Sequence, residues 1–200
     1  AYYQSVIDMK RKSPKRYTIQ AHAKQAAQFD YKNGDTIAFL EKFNKLITDR
    51  ENRPYLNILY HQKGIFYDKF EQDSLAKRFY NLSNKLQAQD QYLVASNYRN
   101  IAEIDFRNAE YKIAGMYYDS TLSKLNDKTR EYRKIKKKRL NLDDVIKYET
   151  IAQENDSILA VVALDKAGQQ RFYENYIEKL KKADTQKAEI AAANAEKAAN

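Results

Sequence analysis

With 200 residues, 17 Tyr, eight Phe, no Trp, four Gly and two Pro, the chain carries too few backbone breakers for a β-rich fold, and the absence of Cys excludes disulfides and thiolate metal sites. The net charge of +9 is spread: residues 129–200 hold 15 basic against 12 acidic side chains, so composition singles out no nucleic-acid-binding face. The longest strongly apolar stretch, residues 158–164, is far short of the 18 or so residues needed to cross a bilayer.

In chain order, residues 1–13 read as the tail of a preceding helix that ends at Ser13-Pro14, since proline restricts the residue before it. The chain is therefore expected to be a fragment, with the partner of that helix and any targeting signal lying upstream. Three repeats are predicted at residues 17–50, 55–88 and 91–125, within a region spanning 14–128. A polar connector covers 49–54, and Pro54 suits a first helical turn, where its missing N–H costs little. Three series recur every 38 residues: Ala26, Gly64 and Ala102; Ala38, Ala76 and Ala114; and His22, Tyr60 and Tyr98. Each repeat thus has an aromatic-type residue, a small residue four positions on, and a second small residue twelve beyond that. Tyr80 and Tyr118 follow the last two of these.

Small residues at such spacing let two antiparallel helices approach, as in the tetratricopeptide (TPR) hairpin. The period exceeds the usual 34 or so, but the excess falls after the second small residue and is close to one helical turn of about 3.6 residues, which leaves the buried face unrotated. After residue 128 the pattern decays, with Leu140 and Ala152 at the small positions and Lys136 and Asp156 at the aromatic ones. Residues 129–183 are expected to form a degenerate repeat and capping helices, with helix starts at Asn141, Asp156 and Asp165 and a last helix carrying Phe172, Tyr176 and Leu180. Residues 184–200 are expected to be an Ala/Lys-rich helical tail or linker. The fold class is all-α: a TPR-like helical-hairpin solenoid with a degenerate C-terminal helical cap.

Catalytic chemistry finds little support. His22 and His61 have no carboxylate at ligand spacing and read as packing or groove residues. Asp143-Asp144 reads as first-turn electrostatics, since adjacent residues point to different helical faces. No phosphate loop, nucleophile elbow or HExxH helix occurs. No enzyme activity, cofactor, metal or small-molecule substrate is expected. The 38-residue register predicts a partner-binding groove lined by Tyr31, His61, Ile65, Lys69, Arg99, Glu103, Phe106 and Arg107, a mixed aromatic and charged surface suited to a peptide or helix. Ala23, Ala27, Gln62 and Ser96 stand where chaperone-binding TPRs carry their carboxylate clamp, so that adaptor role is not expected. A basic run holds Arg130, Arg133, Lys134, Lys136, Lys137, Lys138 and Arg139 and reads as a solvated face, a site for an acidic protein, or a site for anionic lipid or nucleic acid.

Three segments, Tyr92 to Glu103, Asn141 to Glu149 and Asn175 to Lys181, resemble the PorW/SprE family of TPR lipoproteins of the type IX secretion system, which is also linked to gliding motility. The resemblance covers roughly residues 15–183 and extends to the Ala/Lys-rich tail. It implies a non-enzymatic periplasmic scaffold, associated with the outer membrane through an N-terminal lipidated cysteine and contacting other secretion-machine proteins. This sequence lacks that cysteine and the family's C-terminal region, so membrane attachment falls on no residue here. Two alternatives stay open: a generic cytoplasmic TPR adaptor, and a basic helical module that binds RNA or anionic lipid.

Overall fold

The scarcity of Gly and Pro predicts helix, and a computed structural model, which describes residues 2–86 and 90–199 with side chains as far as residue 191, is helical without a strand among those residues. The elements are α1 (Tyr2–Asp8), a 3-10 turn (Lys10–Lys12), α2 (Lys15–Ala26), α3 (Thr36–Thr48), a second 3-10 turn (Arg50–Tyr55), α4 (Leu56–Lys69), α5 (Asp73–Lys85), α6 (Gln91–Arg107), α7 (Tyr111–Leu122), α8 (Arg130–Val162) and α9 (Lys166–Ala199). The expected end of the second repeat, Ala88, lies outside the described residues. Contacts divide the chain into two units at residue 146, inside α8.

In the first unit α4 pairs with α5 and α6 with α7, and α5 packs on α6. The two hairpins turn identically. Glu71 and Ala109, 38 residues apart, both take positive φ (56° and 61°), while Gln72 N donates to Tyr67 O (2.9 Å) and Glu110 N to Asp105 O (2.8 Å). This six-to-one bond satisfies a carbonyl that the helix end would otherwise leave unpaired. Gly64, Ala76, Ala102 and Ala114 are all buried at the helix contacts, and Tyr80 and Tyr118 are fully buried beside them.

The first repeat departs from this plan. α4 and α6 each run five residues past their small residue, to Lys69 and Arg107, whereas α2 stops at Ala26. Beyond it the Asp30 carboxylate accepts the main-chain N–H of Lys32 (2.9 Å) and Asn33 (3.2 Å), a turn that competes with helix. Phe29 and Tyr31 then enter an aromatic cluster in which Phe39 stacks on both Phe43 (4.6 Å) and Phe66 (4.4 Å). As a result Ala38, expected at a tight helix contact, is exposed. α2 meets α1 and α4, and α3 meets α4. α1 lies against α2, with Val6 and Ile7 half-buried and Met9 exposed.

The 38-residue register also continues where the small-residue pattern fails. Leu59, Asn97 and Ile135 are buried, as are Phe66, Ile104 and Leu142. The start of α8 therefore occupies the place of a further first helix, and Ile135 and Leu142 join Ala102, Ala114 and Tyr118 in one core cluster. The helix starts expected at Asn141 and Asp156 do not occur, because both residues lie inside α8. No Gly or Pro falls between residues 115 and 168 to stop the helix, and Asp143 pairs with Arg139 one turn back, a contact that favours continuation.

In the second unit Asp165 does start a helix: its carboxylate accepts Gly168 N (2.8 Å) at the head of α9. Phe172 stacks on Tyr176 at 6.5 Å. The large apolar side chains there, Ile158, Leu159, Phe172, Tyr176 and Leu180 among them, are exposed.

Candidate partner-binding groove

A recess of about 540 Å³ runs across the first unit, lined by Tyr3 and Val6 from α1, Ala23 from α2, Ala27 just past its end, Gln62 from α4 and Leu93 from α6. Its floor is open because alanines stand on α2 where longer side chains would fill it. Among the described residues Lys24 is its one charged lining residue, with Tyr17 and Gln20 beside it. Ala23, Ala27 and Gln62 stand at three of the four positions compared above with the carboxylate clamp. Ser96, the fourth, is buried.

Of the eight side chains expected to line a groove, His61 borders this recess. It is 9% exposed, and its Nδ1 donates to Asn97 Oδ1 at 2.6 Å. Asn97 Nδ2 in turn donates to Ser83 Oγ and Asn84 Oδ1 (2.8 Å each), and Ser83 Oγ donates to Asn57 O (2.8 Å). Burial pushes the His61 pKa below its ordinary value, the Asn97 bond opposing, which keeps the ring neutral with its proton on Nδ1. His61 thus joins three helices, and only its edge is available to a ligand.

The other expected residues serve different contacts. Tyr31 packs edge-on against Phe29 (5.2 Å between centroids) and near Phe70, and Ile65 packs against the cluster of Ala76, Tyr80, Ile101 and Ile104. Arg107 bonds Asp68 (3.1 Å) and Asp73 (2.7 Å) and ties the end of α6 to the neighbouring hairpin. Lys69 is exposed. Arg99, Glu103 and Phe106 face α8: Arg99 pairs with Glu131, Glu103 accepts from Lys138 Nζ (2.6 Å), and the same Nζ lies 4.2 Å from the Phe106 ring centroid. The expected continuous surface is therefore split, because α8 packs on the α6 part of it.

That contact also divides the basic run. Lys138 is held by Glu103, and Arg139 by Asp119 (2.9 Å) and Asp143. Arg130, Arg133, Lys134, Lys136 and Lys137 remain exposed. What sequence reasoning missed is the share of α1 and of Leu93 in the recess, since the register places groove residues only on the first helices of the second and third repeats and at Tyr31. Among the described residues no group of three or more His, Cys, Asp or Glu could hold a metal, and no helix is long and apolar enough to cross a membrane. No protein-family model matches the chain, and no curated protein matches it significantly.

Proposed function

We propose that the chain is a TPR-like, non-enzymatic scaffold for protein–protein interaction, which holds an amphipathic partner segment in the recess between α1, α2, α4 and α6. The observation that carries this reading is the recess itself: an apolar trough bordered by two tyrosines, with one cation among its described lining residues, Lys24. A segment that inserts apolar side chains between Tyr3, Val6 and Leu93 and sets a carboxylate against Lys24 complements it in shape and charge. The resemblance described above supports a partner from the type IX secretion machinery and a periplasmic scaffold associated with the outer membrane. Binding of a polyanion through the basic run is the weaker reading, because Lys138 and Arg139 are engaged within the fold.

The test is site-specific photo-crosslinking in cells, with the reactive group at Ala23 in the recess or at exposed Glu41 as control, and with cargo in the medium measured for Ala27→Arg. A secretion-machine protein captured from Ala23 alone, with secretion reduced by Ala27→Arg, supports the reading. Equal capture from Glu41, or normal secretion with the trough blocked, overturns it.

A further inference from the structure

A second cleft, of about 580 Å³, opens between the start of α2 and the 3-10 turn Arg50–Tyr55. Three of its lining residues carry a buried polar atom with no hydrogen-bond partner among the described residues: Thr18 Oγ1, His22 Nδ1 and Asn52 Oδ1. His22 is 8% exposed and Asn52 0%. Thr18 and His22, four apart, share one face of α2. An isolated unpaired polar atom in an interior is costly, so three such atoms, carried by residues that line one cleft, would be relieved by a ligand that reaches them.

The surroundings favour an anion. Lys10 and Arg11 border the cleft and make no ion pair among the described residues, while Lys15 is committed to Glu51 (2.8 Å) and Asp49 (3.4 Å). Glu51 also borders the cleft, so its one carboxylate is already matched. Pro14 and Lys15, at the first turn of α2, line it too, and no side chain caps that turn. The helix dipole adds to the positive potential there. Burial, aided by Lys42 and Lys15, holds the His22 pKa down to about 4, so the ring is neutral at pH 7 and can donate from Nδ1.

We propose that this cleft binds a peptide carboxylate, with the anion taking hydrogen bonds from Thr18 Oγ and His22 Nδ1 at the mouth formed by Lys10 and Arg11. Asn52 narrows the choice. Its Nδ2 donates to Leu46 O (2.8 Å), and its Oδ1 can only accept. The ligand therefore brings a donor beside its anion, as a peptide N–H next to a carboxylate does. A phosphate at neutral pH presents almost only acceptors and would set oxygen against oxygen. The site is separate from the trough across α1, α2, α4 and α6 and does not depend on it.

The experiment is an NMR titration of the whole chain, read at the His22 ring and the Asn52 side-chain amide. The probes are N-acetyl-Gly-Gly, which has a C-terminal carboxylate, its C-terminal amide, N-acetyl-glutamate N-methylamide, which has only a side-chain carboxylate, and inorganic phosphate. Saturable shifts are expected with at least one carboxylate, and which of the two binds more tightly identifies the source. Binding should be about tenfold weaker for the amide and for Arg11→Ala. Thr18→Val should weaken it with the helical circular dichroism unchanged. If that variant unfolds, exposed Arg11 still decides. Absence of saturation with every carboxylate, saturation with phosphate alone, or equal affinity in Arg11→Ala each overturns the proposal, the first leaving a cleft satisfied by water.

Discussion

The ring of Tyr80 lies flat on the backbone of Gly64: a Cβ at residue 64 would stand 2.5 Å from Tyr80 Cδ1, well inside contact distance. The ring cannot retreat, because Tyr80 is fully buried and its hydroxyl donates to Asp68 Oδ2 at 3.3 Å. Gly64→Ala would gain about 1 kcal/mol of helix propensity, yet the forced displacement of the ring should outweigh it. A net loss of about 1–3 kcal/mol is expected from overpacking, read as a lower urea midpoint. A variant as stable as the parent would mean that α4 and α5 can separate at no cost.

Equivalent alanines should respond differently. Ala114 is fully buried between α6, α7 and α8, so Ala114→Leu should cost about 1–3 kcal/mol. Ala38, at the same register position of the first repeat, is exposed, and Ala38→Leu should stay within about 0.5 kcal/mol of the parent. Thermal melts of the two variants side by side check the difference, and equal losses would contradict it.

Truncation separates the repeat pattern from the packing. A chain ending at residue 128 loses Ile135 and Leu142 and uncovers Tyr118, whereas one ending at residue 146 keeps that cluster. The shorter chain should melt at lower temperature and bind a hydrophobic dye, while the longer should melt close to the first unit of the parent. Identical melts would show that α8 adds nothing to α6 and α7.

The pH dependence follows from His22. Its folded pKa is lowered from 6.5 to about 4, mainly by burial, so the unfolded chain takes up the proton first on acidification. Stability should be fully present above about pH 6.5 and fall as the pH drops toward 4. His61, also lowered, should act in the same direction. His22→Gln should therefore flatten part of the decline between pH 7 and pH 5 in urea titrations. An unchanged decline would show that His22 takes up its proton equally readily in the folded chain.

The amino-acid sequence by itself determined that the chain is helical and where its second and third hairpins lie. Gly64, Ala76, Ala102 and Ala114 could be read directly, because two helix backbones approach closely only where side chains are small, and that constraint recurs at a fixed spacing. Tertiary structure alone decided what happens at the two ends of this pattern. At Ala26 the helix stops because burying Phe29 and Tyr31 against Phe39 and Phe66 outweighs continued propensity, and that gain exists only once α3 and α4 are present. In α8, Ile135 and Leu142 keep the buried register although Leu140 and Lys136 break the visible signature, because burial depends on the facing helix and not on residue type at one marked position. The recess had the same limit. Ala23, Ala27 and Gln62 were recognisable as first-helix positions, but they become a trough only when α1 supplies Tyr3 and Val6 and α6 supplies Leu93, contacts between distant segments that local spacing does not encode.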